Sequence, residues 1–364
     1  MKINFGKISQ HLSTFFPNKF NFNNLFIQLF YFIIISLFGY LGLKFSKART
    51  SRPNDLDLFY TSVSASSVAS MTSIEMEVFS NSQLIFLTFL MFVGGEVFTS
   101  MLQLFLDRFN FTQNQSLNNE CSSSSNNQIE LCLVSNPQSE NHSHSDNNIN
   151  NKDKIKYNSL RCLSYTVLAY LIAVHFFGFC LVTLYITNIQ SAKHLLKHKG
   201  INIETFSLFT IVSTFASCGY VPTNENMTIF KKNSGLLLFI LPHVLLGGCL
   251  YPPCLRLCIK VIKSLTKREE FSYLLKNSKE MGYDHLLSAR HCWLLVVTVV
   301  GSNAMQFVFF CSMEWKSKIM EDLSVYEKVV ATLFQVANAR HSGESVFDLS
   351  TISSAVLVMF IVMM

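Results

Sequence analysis

Five long apolar stretches, and the beginning of a sixth, limit this chain to one class of fold. They cover residues 25–44, 83–106, 160–187, 234–262 and 292–311, and the sixth begins near residue 354. About 20 apolar helical residues cross the hydrocarbon core of a bilayer. Only 14% of the residues are charged, so lipid is the expected solvent for most of the chain. The sequence therefore predicts an all-α polytopic membrane protein.

The distribution of charges and the motifs exclude several other classes of protein. The net charge of +6 comes from basic residues spread over short loops, which does not indicate a nucleic-acid-binding protein. The 10 cysteines lie mostly in apolar stretches, without the spacing of a zinc site. No nucleotide-binding, hydrolase or metalloprotease motif occurs. We therefore expect no enzyme, no catalytic residue, no cofactor and no resident metal.

The polar segments give the organisation of the chain. Residues 1–24 lack the cleavage site of a signal peptide, so we expect a retained cytosolic N-terminus. Residues 107–158 are rich in Asn and Ser and predict a disordered cytosolic linker. The basic, amphipathic loop at 264–290 is cytosolic by the positive-inside rule. Basic residues after the first and third stretches, among them Lys199, oppose this orientation.

A weak internal repeat lies between paired apolar stretches. Residues 58–71 read LFYTSVSASSVASM, residues 208–227 read LFTIVSTFASCGYVPTNENM, and residues 332–345 read TLFQVANARHSGES. Each is too polar to face lipid and too apolar for an ordinary loop, which is typical of a re-entrant pore loop. The repeat predicts helix–pore loop–helix units at 25–106 and 159–263, and an incomplete one at 291–364, around a central pore.

Each repeated segment joins a short helix to a small residue: Ser70, Gly219 or Gly343. A selectivity filter needs backbone carbonyls in place of the ion's hydration shell, and small residues leave those carbonyls accessible. The partially negative C-terminal end of each short helix favours a cation. A lone Ser in a membrane helix more often bonds to its own helix, and a lone Gly more often serves helix packing. Their repetition favours an ion filter.

Several strings closely resemble the plant HKT sodium/potassium transporters, relatives of the bacterial Trk and Ktr systems. They are SVSASSVASM, EVFSNSQLIFLTFLMFVGGEVFTSML at residues 77–102, STFASCGYVPTNENM and RHSGE at residues 340–344. The resemblance implies four pore units around one pore, of which this chain has about two and three quarters. It also implies that Ser70, Gly219 and Gly343 occupy the first three filter positions.

The resemblance also bears on function. Ser at the first filter position marks the Na⁺-selective members, so passive Na⁺ transport across the plasma membrane is the expected function. A K⁺ or mixed Na⁺/K⁺ transporter and a truncated, non-conducting regulatory isoform are alternatives. The expected partners are Na⁺ and K⁺ ions, the lipid bilayer, and either a second copy of the chain or a full-length homologue. No nucleic-acid partner is expected.

A second set of residues lies near the filter positions. Four acids follow them closely and could attract cations to the outer mouth, although ordinary solvated loop acids would explain them nearly as well: Glu75, Glu77, Glu225 and Glu344. Arg340 and His341 precede Gly343, and we expect them to support the pore loop. The paired glycines at 94–95 and 247–248 predict close helix approach.

Four sequons for N-glycosylation occur, but only one falls on the expected outer side. It begins at Asn226, seven residues after Gly219, and is completed by Thr228. The other three begin at residues 110, 114 and 141, inside the predicted cytosolic linker, where glycosylation does not occur.

Overall fold

The computed structural model describes residues 22–49, 53–109 and 143–363. Its helices are α1 (Phe22–Phe45), α2 (Asp55–Ser66), α3 (Asn81–Gly94), α4 (Glu96–Phe109), α5 (Ser143–Asn188), α6 (Gln190–His198), α7 (Ile203–Phe215), α8 (Ser234–Gly247), α9 (Tyr251–Thr266), α10 (Glu269–Lys276), α11 (Ala289–Glu314), α12 (Val325–Arg340) and α13 (Ser354–Met363). The described residues contain no β-strand.

One arrangement occurs three times along the chain. A long apolar helix (α1, α5 or α11) is followed by a short helix (α2, α7 or α12) and then by a second apolar helix (α3, α8 or α13). The three short helices, called the pore helices below, end at Ser66, Phe215 and Arg340. This order is the predicted helix–loop–helix repeat.

Two of the predicted spans are broken rather than straight. α3 and α4 meet at 53°, and α8 and α9 meet at 86°. α1, α5 and α11 are long and apolar enough to cross a membrane, and each bent pair passes the same test when taken as one span. Both breaks fall at the paired glycines, and the second is followed by Pro252 and Pro253 in the first turn of α9. Proline fits that first turn because its missing N–H has no helical partner there.

α5 begins inside the segment predicted to be a disordered linker. It starts at Ser143, so residues 143–158 are helical and that part of the prediction is wrong. No Gly or Pro lies between residues 143 and 158 to end the helix. Extending an existing helix adds one hydrogen bond per residue without a new nucleation cost, and this outweighs the unfavourable Asn and Ser propensities. Residues 107–109 of the predicted linker are also helical, at the end of α4. Residues 110–142 lie outside the described residues, as do residues 1–21 of the predicted N-terminus.

The middle pore helix, α7, lies at the centre of the molecule. Buried apolar residues form three clusters, and α7 contributes to all of them: Phe206, Phe209 and Phe215 each lie in a different cluster. Its neighbours include α3, α5 and α8. The Ser and Thr residues of this apolar helix are buried because other protein elements, rather than lipid, surround it. The second predicted filter residue, Gly219, therefore follows a helix that is enclosed by protein.

The predicted basic loop at 264–290 returns to the broken spans. Within it, α10 is the short amphipathic helix, and the following turn carries Tyr283 back onto α4 and α9. The Tyr283 hydroxyl lies 3.1 Å from Ser100 Oγ and 2.6 Å from the hydroxyl of Tyr251. The loop thus links the second half of the first broken span to the second half of the other.

Candidate functional site: three loops at the ends of the pore helices

The three predicted filter residues share one backbone conformation. Ser70, Gly219 and Gly343 have φ angles of 56°, 76° and 80°, in the left-handed region. Serine enters this region at a cost, whereas glycine does so readily. Ser70 and Gly219 lie four residues beyond the last residue of their pore helices, and Gly343 lies three residues beyond. The similarity that the sequence repeat predicts is therefore present in the backbone.

The turn before each filter residue is closed by the same kind of hydrogen bond. An N–H donates to the carbonyl five residues earlier: Ala69 to Ser64 (2.9 Å), Cys218 to Ser213 (2.9 Å) and Gly343 to Asn338 (2.8 Å). In the first two loops the bond comes just before the filter residue, and in the third it comes from the filter residue itself. The third turn is thus one residue shorter.

The second loop contacts both the first loop and the third. A Cβ atom at Gly219 would lie 1.8 Å from the carbonyl oxygen of Ser342, so the third loop presses against the second. On the other side, the thiol of Cys218 lies against the backbone of Ser70. Ser70 and Gly343 are exposed, whereas Gly219 is half-buried. The structure therefore brings all three predicted filter residues together in one surface.

The residue after the filter position reaches back to the preceding pore helix. The Tyr220 hydroxyl lies 2.5 Å from the carbonyl oxygen of Met71 and 2.8 Å from Oγ of Ser64 on α2. Thr214, near the end of α7, donates to Oε1 of Glu344. Because Glu344 is 1% exposed, it does not face the outer solution. The prediction that Glu344 attracts cations at the mouth is therefore wrong, because its side chain is buried against the second pore helix.

Two of the remaining acids are already paired with a lysine. The Lys199 ammonium lies 2.7 Å from Glu77 Oε1 and 2.7 Å from Glu225 Oε1. The hydrogen bond from Lys199 is the main reason that the pKa of Glu225 lies below its usual value. The predicted attraction of cations by Glu77 and Glu225 is thus weakened by a permanent counter-charge. Glu75, which is exposed, accepts a hydrogen bond of 2.8 Å from the Asn224 side chain.

Arg340 and His341 lie at the end of the third pore helix, and their supporting role stays a prediction. Nη1 of Arg340 donates to Oγ of Ser302 on α11 over 3.1 Å. The backbone N–H of His341 caps the helix by donating to the Asn338 carbonyl. Arg340 therefore ties the end of α12 to the first helix of its own unit.

Glycines in the second helices allow the pore helices to approach. A Cβ atom would lie 1.9 Å from the Ser66 carbonyl oxygen at Gly94, and 1.9 Å from the Phe215 carbonyl oxygen at Gly247. Both carbonyls belong to the last residue of a pore helix. The predicted close approach is present in both units, and in each it involves the first glycine of the pair.

Sequence reasoning missed the residues that join the loops: Lys199, Asn224, Tyr220 and Thr214. One signal was available for Lys199, since it opposes the positive-inside rule on the side assigned to the exterior. Its two carboxylate partners explain why a lysine stands there. The contacts of Tyr220 and Thr214 join residues 130–156 positions apart, and no periodic pattern reports such pairs.

Comparison with known proteins gives consistent matches. Residues 139–364 match the TrkH family, described as a cation transport protein. The chain is 48% identical over 328 residues to the sodium transporter HKT1 of Arabidopsis thaliana, with 89% of this chain and 63% of that protein covered. It is 42% identical over 352 residues to the cation transporter HKT1;3 of Oryza sativa subsp. japonica, with 94% of this chain and 66% of that protein covered. The chain thus spans less than two thirds of either relative's length.

Proposed function

Since the chain belongs to the TrkH family of cation transport proteins, we propose that it conducts monovalent cations passively along a path lined by the loops of Ser70, Gly219 and Gly343. The chain is a multi-pass membrane protein of a transport family rather than an enzyme, and a plasma-membrane location fits the plant relatives. The predicted resemblance to HKT transporters is therefore confirmed, whereas the activity itself is our proposal.

The observation that carries the proposal is the repeated left-handed turn at the end of each pore helix. The loops that follow the three short helices lie against one another, and in them Ser70, Gly219 and Gly343 take positive φ angles. Helix carboxyl ends carry partial negative charge, which stabilises a cation near the loops. Exposed backbone carbonyls supply the ligands that Na⁺ and K⁺ prefer. No catalytic chemistry is required of any side chain.

Na⁺ selectivity is the finer part of the proposal, and it rests on Ser70. Ser70 adds a Cβ atom and a hydroxyl at a position where the other two loops carry glycine. These atoms change the size and ligand geometry of the ring, and a ring of glycines alone suits the larger K⁺ ion better. The Arabidopsis relative is named as a sodium transporter, which supports the same assignment.

The driving force is the electrochemical gradient. A membrane potential contributes about 2.3 kcal/mol per elementary charge per 100 mV, which is enough to move a monovalent cation without chemical coupling. Current should therefore reverse at the equilibrium potential of the permeant ion. This behaviour distinguishes a channel-like path from an exchanger.

The experiment is a two-electrode voltage clamp on oocytes that express the chain, with external Na⁺ and K⁺ varied in turn. We expect a current whose reversal potential follows Na⁺, and a shift toward the K⁺ potential in Ser70→Gly. Ser67→Gly is the matched control, because Ser67 is also exposed but its hydroxyl bonds only to the Val63 carbonyl of its own helix. An unchanged reversal potential in Ser70→Gly would refute the filter assignment. If the reversal potential of the parent follows K⁺, the permeant ion is K⁺ rather than Na⁺.

A further inference from the structure

The segment after the second filter position is longer than its counterparts. A short 3₁₀ helix follows each loop, beginning six residues after Ser70, nine residues after Gly219 and six residues after Gly343. The second unit therefore has three extra residues between its filter glycine and this helix. Residues 223–226, Thr-Asn-Glu-Asn, lie in that longer connection, and we call them the clasp.

One side of the clasp contacts the first unit. The backbone N–H of Asn224 donates to Oε1 of Glu77 (3.1 Å), and the backbone N–H of Glu77 donates to Oδ1 of Asn224 (3.2 Å). The Asn224 side chain also donates to Glu75 (2.8 Å). Glu75 and Glu77 follow Ser70 by five and seven residues, so these bonds hold the segment directly after the first filter residue.

The other side of the clasp contacts the third unit. The backbone N–H of Ser345 donates to Oδ1 of Asn226 over 3.2 Å, and the backbone N–H of Met227 donates to the Ser345 carbonyl over 3.0 Å. Ser345 lies two residues after Gly343. Asn226 is itself held in the left-handed region, at φ 57°, by a turn in which its N–H and carbonyl both bond to Thr223. This turn therefore holds the Asn226 side chain in the position from which it reaches the third loop.

We propose that the clasp fixes the two outer filter loops relative to the middle one, and that Asn226 is a positioning residue for ion selectivity. This inference rests on the proposed filter role of the three loops. Selectivity requires carbonyls held at defined separations. Gly219 lies against the Ser342 carbonyl. Just beyond Gly343, two side-chain bonds join the second unit to the third loop: Thr214 donates to Glu344, and Asn226 accepts from the Ser345 N–H. Loss of the Asn226 bond weakens the attachment of the third loop to the second and lets their separation vary.

The sequon offers a different role for the same residue, namely attachment of a glycan to Asn226. Three substitutions separate the two roles. Asn226→Gly removes the acceptor without backbone strain, because glycine tolerates the positive φ. Asn226→Asp keeps an acceptor oxygen but destroys the sequon. Thr228→Ala destroys the sequon and leaves the Asn226 side chain intact.

The experiment measures the packing of the loops directly, and current separately. Cys218 is fully buried beside Gly219, near the backbone of Ser70 in the first loop and Glu344 in the third, so its thiol should react slowly with a membrane-impermeant methanethiosulfonate added outside intact cells. We expect Asn226→Gly to raise this labelling rate about fivefold, the factor that one net hydrogen bond gives to an equilibrium. Asn226→Asp and Thr228→Ala should label like the parent. Where current is present, Asn226→Gly should also shift the reversal potential toward K⁺. Cys218→Ser gives the background signal.

Each outcome decides the proposal. Parent-like labelling of Asn226→Gly would overturn it, and so would fast labelling of Thr228→Ala, which would assign the effect to the glycan. If Asn226→Gly fails to reach the surface, Asn224→Ala replaces it, because the first loop covers the same thiol and its release should also expose Cys218. An unchanged reversal potential in Ser70→Gly would refute the filter assignment alone, since the labelling results do not depend on conduction.

Discussion

The loops of Gly219 and Gly343 need a glycine for different reasons. Gly219 and Gly343 have nearly the same φ, 76° and 80°, so both need a residue that tolerates the left-handed region. A Cβ atom at Gly219 would lie 1.8 Å from the Ser342 carbonyl oxygen, whereas no atom lies within 4 Å of one at Gly343. The middle loop is thus constrained by its neighbour as well as by its own backbone. Two residues with nearly the same backbone conformation can therefore differ in the space that their neighbours leave for a side chain.

The largest expected effect compares alanine at these two positions. Gly343→Ala should lower the free energy of unfolding by about 1–2 kcal/mol, the cost of a left-handed non-glycine residue. Gly219→Ala should lower the free energy of unfolding by roughly 1–3 kcal/mol more than Gly343→Ala does, because its Cβ atom must displace a backbone carbonyl. Thermal unfolding of the two variants in the same detergent measures the difference. Equal unfolding temperatures would show that the second and third loops do not touch as described.

The next effect tests whether the first two units are built alike. Gly94→Ala and Gly247→Ala each place a Cβ atom 1.9 Å from the last carbonyl of a pore helix, so each should cost roughly 1–3 kcal/mol. Gly301→Ala is the matched control, because Gly301 lies inside α11 with nothing within 4 Å. It should be neutral or stabilising by up to about 1 kcal/mol, from helix propensity. A loss at Gly301 as large as at Gly94 and Gly247 would show that close packing is not the cause.

The sequence predicts the repeated elements better than it predicts how they meet. Apolar length locates α1 and α11, and the small residues of the repeat locate Ser70, Gly219 and Gly343. These features are local, because each depends on a short window of residues. Gly219 is enclosed because the Ser342 carbonyl lies against it, and Ser342 is more than 100 residues from Gly219 in the chain.

The acids near the mouth show the same limit. Glu77, Glu225 and Glu344 all follow a filter position closely, and sequence position alone assigns them one role. In the structure Glu344 is buried against Thr214, whereas Glu77 and Glu225 share Lys199. Charge counts along a chain do not reveal counter-charges that folding supplies. The net field at the mouth is therefore weaker than the sequence indicates.

A smaller effect concerns the contact of the middle loop with the first unit. Tyr220→Phe removes the hydroxyl that lies between the Met71 carbonyl and Ser64 Oγ, so we expect a loss of about 1–3 kcal/mol from unmade hydrogen bonds. Tyr326→Phe is the control, because Tyr326 is 60% exposed. Thermal unfolding in detergent again provides the measurement. A loss in Tyr220→Phe no greater than in Tyr326→Phe would mean that this hydroxyl does not join the two units.

The smallest effect concerns the outer ion pairs, which lie at the surface. Lys199→Gln should cost less than about 1 kcal/mol at neutral pH, and the loss should shrink as salt is added. Because Lys199 lowers the pKa of Glu225, the stabilisation is complete above the unfolded pKa of about 4.3 and is lost as pH falls through the lower folded value. The parent and Lys199→Gln should therefore unfold at the same temperature in strong acid and at different temperatures near neutrality. Lys193→Gln, at an exposed position on α6, should match the parent at every pH. A difference for Lys199→Gln that persists in acid would place its contribution in packing of the lysine stem rather than in its charge.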